Sequence, residues 1–113
     1  MFARAGKMRH RLELQQLVDA SPNKTATGAA DQVWTTLATV WGSLEPLSGK
    51  RLEAARQEYE SVSVEARIWY RSDVSAGMRI VFESRYYLVN AIVDPENLHK
   101  QLRLLCEEGV RFG

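Results

Sequence analysis

Cysteine is nearly absent from this chain. Cys106 is the single thiol among 113 residues, which excludes an intrachain disulfide and any thiolate zinc cluster and suits a reducing compartment. A surplus of either charge is also missing: 15 Lys and Arg stand against 14 Asp and Glu, a net charge of +1. That balance excludes a protein whose affinity comes from a strong field over nucleic acid or anionic lipid, so any DNA contact is local. No stretch reaches the roughly 18 consecutive apolar residues of a membrane helix. The opening Met1-Phe2-Ala3-Arg4-Ala5-Gly6-Lys7 lacks the apolar core of a signal peptide. The chain is therefore expected neither to span a membrane nor to be secreted.

Catalytic signatures are missing too. There is no Gly-x-Ser-x-Gly elbow and no Gly-x-Gly-x-x-Gly turn. Gly42 and Gly49 stand too far apart for a phosphate loop, and Arg51 follows Lys50 where that loop needs Ser or Thr. His10 and His99 have no second ligand at metal spacing, so no metal and no cofactor is expected. Cys106 falls on an inward strand register, where a thiol behaves as a small apolar residue. The expectation is a protein that is not an enzyme.

What is present is a globular composition, 45% hydrophobic and 26% charged, in a length that suits one domain over residues 1–113. In residues 9–18, Leu12 and Leu14 alternate with Arg11, Glu13 and Gln15, the period-two pattern of a strand with one wet face. Residues 19–32 hold Ser21, Pro22, Asn23, Thr25, Thr27 and Gly28 but no large apolar anchor, and predict a long flexible loop of the kind that tends to serve contact or gating. Residues 33–47 read as a strand apolar on both registers: Ala38, Val40 and Leu44 on one, Val33, Leu37 and Trp41 on the other. The cover for its second face could come from the chain's own barrel, a helix or a neighbouring subunit. Pro46 marks its end.

The period then changes. Leu52, Ala55 and Tyr59 predict a short amphipathic helix over residues 48–60, with Ser48 as N-cap. Lys50 and Arg51 in its first turn, and Glu58 and Glu60 in its last, oppose the helix dipole, which suggests that these ends meet opposite charges on a partner. Val62, Val64, Ala66, Ile68 and Tyr70 give the clearest alternation in the chain, followed by Met78, Ile80 and Phe82. Ser84 and Arg85 are placed as a two-residue hairpin turn before residues 86–93. A turn at Asp94-Pro95-Glu96-Asn97 leads into a last strand with Leu102, Leu104 and Cys106 inward. Short half-polar strands joined by hairpins are most economically closed into a barrel. The fold class expected is mainly β: a small six-stranded antiparallel β-barrel with one short α-helix and a long flexible loop.

Two features bear on partners. Residues 1–8 read as an N-terminal arm, and the start of the chain is basic, with Arg4, Lys7, Arg9 and Arg11 before the first acid, Glu13. Trp69, Tyr86 and Tyr87, with Arg67, Arg71, Arg79 and Arg85, would suit a platform for single-stranded nucleic acid, which is the alternative functional reading.

The order of motifs adds a resemblance. Met8-Arg9-His10-Arg11-Leu12-Glu13-Leu14-Gln15 is followed by the polar loop, then Val33-Trp34 and Val40-Trp41-Gly42-Ser43-Leu44-Glu45-Pro46-Leu47-Ser48-Gly49, then the charged helix. After it come Val64-Glu65-Ala66-Arg67-Ile68-Trp69-Tyr70-Arg71, Gly77-Met78-Arg79-Ile80, Arg85-Tyr86-Tyr87-Leu88-Val89 and Leu102-Arg103-Leu104-Leu105-Cys106. From about residue 8 to residue 110 this resembles the head-tail adaptor (joining, head-closure or stopper) family of long-tailed bacteriophages. One departure is the missing glycine at Ser84 and Arg85, where relatives often turn on glycine.

The resemblance implies a non-enzymatic virion structural protein of the head-tail connector, made in the host cytoplasm and located at the head-tail junction. It would form a ring with copies of itself, by analogy a dodecamer, that closes the DNA-filled head. A portal or connector adaptor protein would lie above it and a tail terminator or tail tube protein below. Double-stranded DNA would pass through its channel, and the loop would be a candidate gate. Candidate interface or channel residues are Arg4, Lys7 and Arg9 of the arm, Asn23, Lys24 and Thr25 of the loop, and Arg51, Glu53, Arg56 and Glu58 of the helix.

Overall fold

Six strands close on themselves in the order β1-β2-β3-β6-β5-β4, each antiparallel to its neighbours. The computed structural model describes residues 8–19 and 32–109. The strands are β1 His10–Asp19, β2 Gln32–Pro46, β3 Val64–Trp69, β4 Arg79–Phe82, β5 Arg85–Val93 and β6 Gln101–Glu108. The single α-helix among the described residues, α1, spans Gly49–Arg56 between β2 and β3. The expected mainly β class, six-stranded antiparallel barrel and short helix hold, while the loop expected over residues 19–32 lies outside the described residues except at Asp19 and Gln32, which belong to β1 and β2.

The barrel interior is filled by the inward register of five strands, Leu12 and Leu14, Val64, Ala66 and Ile68, Ile80, Tyr87 and Val89, and Leu102, Leu104 and Cys106, with partly buried Leu37, Val40 and Leu44 of β2 packed against them. Burying a Leu, Ile or Val side chain stabilises by roughly 1.5–3 kcal/mol, so this layer carries most of the driving force. Gly42 is required where β1, β2 and β3 meet. A Cβ there would lie 2.5 Å from the Arg67 carbonyl oxygen and 2.8 Å from Leu12 Cδ1. A second, smaller cluster lies outside the barrel, where α1 covers the outer face of β6: Leu47, Val62 and Leu105, with Leu52, Ala55 and Tyr59 packed on them.

Three expectations are corrected. The helix ends at Arg56 rather than residue 60, so Glu58 and Glu60 lie in the turn beyond it and do not oppose its dipole. The backbone of Tyr59 instead accepts from Val62, returning the chain to β3. Val62 belongs to the helix cluster and Tyr70 is exposed, so the β3 alternation is inward only at Val64, Ala66 and Ile68. The β4–β5 turn is Glu83-Ser84, one residue earlier than expected, because Phe82 pairs with Arg85. Both turn residues are left-handed, with φ of 52° and 65°. That is the backbone of a primed hairpin turn, formed here without glycine or asparagine.

Strands β1, β3 and β5 run one way and their neighbours the other. The β1–β2, β3–β4 and β5–β6 connections therefore leave at one end of the barrel, and α1 with the Glu83-Ser84 turn at the other. β1 and β2 are too long to be used up by the barrel. The molecule measures 50 × 28 × 27 Å, and the β1–β2 pair is the element that outruns its neighbours. β1 meets β4 only at Glu13, Leu14 and Gln15, while its pairing with β2 continues to Asp19↔Gln32. Residues 15–19 and 32–36 thus form a two-stranded ribbon that continues past the barrel wall.

Candidate functional site

The ribbon begins at an irregularity. Leu14 pairs with Ala38 and Gln15 with Thr36, so Leu37 is the extra residue of a bulge in β2. The bulge lets Leu37 pack toward the core beside Val40 and Leu44, whereas Val33 and Trp41, the other members of its apolar register, stay exposed. It also turns the outer strand stretch so that Trp34 faces β4.

There Arg79 holds the base of the ribbon. Its guanidinium lies 4.4 Å from the Trp34 ring and 4.3 Å from the Tyr86 ring, and its Nε donates to Gln15 Oε1 at 2.6 Å. Burial pushes the Arg79 pKa below the ordinary arginine value, partly opposed by Tyr86 and Glu13, and the group remains a cation. Thr36 and Gln15 both donate to the Glu13 carboxylate, which lowers its pKa. The ribbon is therefore tied to β4 and β5 by a stacked cation and a hydrogen-bond chain. Beyond that clamp it exposes apolar surface, with Leu17 43% and Val33 44% accessible.

A second feature lies under α1. Glu65 is only 3% exposed and takes ion pairs from Arg51 at 2.8 Å, Arg67 at 3.0 Å and Arg103 at 2.6 Å. Arg67 and Arg103 stand directly opposite each other on β3 and β6, a repulsive placement that the shared carboxylate offsets. Burial alone would raise the Glu65 pKa, and hydrogen bonds from Arg103 and Arg51 with the fields of Arg103 and Arg67 more than reverse it, so the carboxyl titrates below the usual glutamate value. Arg51, Arg67 and Arg103 line an open groove with Glu58, Tyr59 and Pro95. A third feature is aromatic: Trp41, Trp69, Tyr70 and Leu98 are exposed, Arg11 lies 4.8 Å over the Trp41 ring, and Tyr70 packs on the His99 ring.

The residues expected from sequence are dispersed. Arg4, Lys7, Asn23, Lys24 and Thr25 lie outside the described residues. Arg9 is exposed just ahead of β1. The opposite charge that Arg51 meets belongs to its own chain, and Arg56 Nε donates to the Val62 carbonyl at 3.1 Å. Glu53 and Glu58 are exposed.

The nucleic-acid platform is not assembled. Tyr87 points into the core, Tyr86 is occupied by Arg79, and Trp69 stands on β3, separated from β5 by β6. His10 packs on the Phe82 ring and His99 pairs with Asp94. Among the described residues no group of three His, Cys, Asp or Glu side chains could hold a metal. Cys106 is buried, with its thiol pKa pushed up to about 12 chiefly by burial, so it is unreactive at neutral pH.

Sequence reading missed Glu65 and Arg103. Glu65 and Arg67 two residues apart on one strand face were visible, but the third partner depended on the non-sequential β3–β6 pairing.

Comparison with known proteins follows the same outline. A family model described as phage head completion protein matches residues 3–109. The solution structure of protein SF1141 from Shigella flexneri 2a is 27% identical, over 97% of this chain and 100% of that one, with a TM-score of 0.69. A chain in the virion of a native gene transfer agent particle is 14% identical, over 91% of this chain and 96% of that one, with a TM-score of 0.58, which shows a shared fold. A search of curated protein sequences finds no match.

Proposed function

This chain belongs to the phage head completion protein family, and from that premise we propose that it forms a ring with copies of itself at the head-tail junction, closing the DNA-filled head and offering the tail its docking surface. The family match over residues 3–109 supports a structural part in completing the phage head. The single observation that carries the finer reading is a closed barrel from which a clamped ribbon projects, matched to the family over residues 3–109. A closed barrel gives a rigid body with few edges of its own, and the ribbon gives that body a reach beyond its wall. The presence of a fold relative in the virion of a gene transfer agent particle supports a place in a virion.

In this reading the ring is twelve-membered, as the resemblance implies. A portal or connector adaptor lies above it, a tail terminator or tail tube protein docks below, and double-stranded DNA passes through. The net charge of +1 suits a conduit, because each phosphate neutralised by a basic lining would release counterions and hold the genome in place. The basic arm with Arg4, Lys7 and Arg9, the loop with Asn23, Lys24 and Thr25, and the helix residues Arg51, Glu53, Arg56 and Glu58 are proposed contact elements.

Deleting residues 23–30 is expected to leave a folded barrel while particles lose packaged DNA or fail to attach tails. Tailed virions that hold DNA normally would refute a role for the loop. Electron microscopy of the purified chain at increasing concentration tests the ring itself.

A further inference from the structure

The two strands of the ribbon each have a bare edge. β2 is paired with β1 from Gln32 to Gly42, but on its other side it meets β3 only at residues 42–46. Along residues 32–41 that second edge has no strand beside it among the described residues. β1 is similarly bare along residues 16–19, past its last partner in β4, Arg79. Such edges expose rows of N–H and C=O groups that template further pairing, and soluble proteins blunt them with lysine, proline, short length or cover.

The β2 edge is blunted by almost none of these. Gln32-Val33-Trp34-Thr35-Thr36-Leu37-Ala38-Thr39-Val40-Trp41 holds no charged residue, no proline and no glycine, and β-branched Val33, Thr35, Thr36, Thr39 and Val40 favour extended backbone. Its one irregularity is the bulge at Leu37. The flanking apolar side chains are bare as well: Leu17, Val33 and Trp41 are each more than two-fifths accessible. The Arg79 clamp fixes the base of the ribbon on the barrel wall, so this edge is presented rather than folded back.

We propose that the bare edge of β2, within residues 33–41, pairs with the bare β1 edge, residues 16–19, of a neighbouring copy of this chain. An antiparallel sheet between subunits then stitches the ring. The proposal rests on the ring reading above and specifies its interface. The occupant follows from topology. The two bare edges lie on opposite sides of one ribbon, and β1 and β2 run in opposite directions. Copies related by rotation about a ring axis all point their ribbons the same way, so β2 of one copy meets β1 of the next antiparallel. The contact joins different surfaces on the two copies and repeats until the rotation closes. Pairing also covers Leu17 and Val33, which no described part of the chain covers.

The test uses single-cysteine variants of the full chain, since Cys106 is buried and unreactive. Wild-type protein is first brought to the concentration at which native mass spectrometry detects rings. Val18→Cys is then mixed with Thr35→Cys, and separately Leu17→Cys with Thr39→Cys, and each mixture is treated with a short bis-maleimide. Linked dimers are expected in at least one mixture and absent from each variant alone. Rings without cross-links in either mixture would overturn the stitching but not the ring. Cross-links within one variant alone would overturn it in favour of a two-fold β2–β2 pairing, and a wild-type chain that never forms rings would remove both. A Thr35→Lys/Thr39→Lys double variant should weaken assembly about tenfold or more with an unchanged melting temperature of the monomer. Undiminished assembly would also count against the proposal.

Discussion

Replacing Glu65 by Gln tests the electrostatics beneath the helix with little change of shape. The carboxylate is 3% exposed and serves Arg51, Arg67 and Arg103, which are themselves 52%, 18% and 31% exposed. At about 4 Å and an effective dielectric near 20, each pair is worth roughly 4 kcal/mol gross, much of which is consumed by desolvation. Removing one partner of a buried pair typically costs about 3–5 kcal/mol. The arginines here can partly rehydrate, so the expected loss is about 2–3 kcal/mol, or roughly 8–12 °C in melting temperature for a domain of this size. Part of the loss is the Arg67–Arg103 cross-strand repulsion left uncompensated.

The pH dependence gives a second handle on the same residue. The folded pKa of Glu65 is depressed, so its contribution is fully present above the unfolded value, about 4.3, and is lost as pH falls through the folded value. Urea titrations of wild type and Glu65→Gln between pH 7 and pH 3 should show a gap that is constant at neutral pH and closes in acid. A gap below about 0.5 kcal/mol at pH 7, within the ordinary range of surface substitutions, or one that persists unchanged at pH 3, would refute the reasoning.

The remaining expectations concern single positions. Arg79→Met removes two ring contacts and the hydrogen bond to Gln15. It should cost about 1–3 kcal/mol and raise amide exchange in residues 15–18 and 33–36 more than in β6, as read by hydrogen-exchange mass spectrometry. Gly42→Ala puts a Cβ against the Arg67 carbonyl and Leu12 and should destabilise by about 1–3 kcal/mol in chemical denaturation. Ser84→Gly relieves a left-handed non-glycine residue in the β4–β5 turn and should raise stability by about 0.5–1 kcal/mol. Cys106 should resist a thiol reagent at pH 8 until denaturant unfolds the barrel, because burial holds its pKa near about 12.

The strands were legible because their inward residues keep period two wherever the backbone is regular. Leu12 and Leu14, Val64 through Ile68, and Leu102 through Cys106 each fill the core as their alternation requires. Reading failed where geometry breaks the period. In β2 the bulge turns Leu37 of the second apolar register toward the core, while Val33 and Trp41 of that register stay exposed. The Glu83-Ser84 turn uses residues that rarely take positive φ, so turn chemistry gave no signal for its true position. Helix length was overestimated because Tyr59 continues the apolar spacing although it sits beyond the last turn, where it still packs on α1's own cluster. The charged site was the least legible part. Arg51, Glu65, Arg67 and Arg103 come from α1, β3 and β6, and only the β3–β6 pairing, which skips two strands in sequence, brings them together.

In the proposed ring the same topology separates two roles along the barrel. β3 and β6 carry α1 on their outer faces, and the buried ion cluster there secures the helix to the wall without presenting an unpaired acid to a neighbour. β1 and β2 carry no such cover and run on past the wall, so this is the side on which bare backbone and apolar side chains coincide. On α1 the side chains of Lys50, Glu53 and Arg56 face solvent while Leu52 and Ala55 turn inward, so the helix presents a charged face without large bare apolar side chains or unpaired strand backbone. Charge reversal at Glu53 and Arg56 should therefore disturb assembly less than a lysine on the β2 edge. An assembly assay comparing the two variants side by side tests the proposed strand-to-strand contact against a contact through the helix.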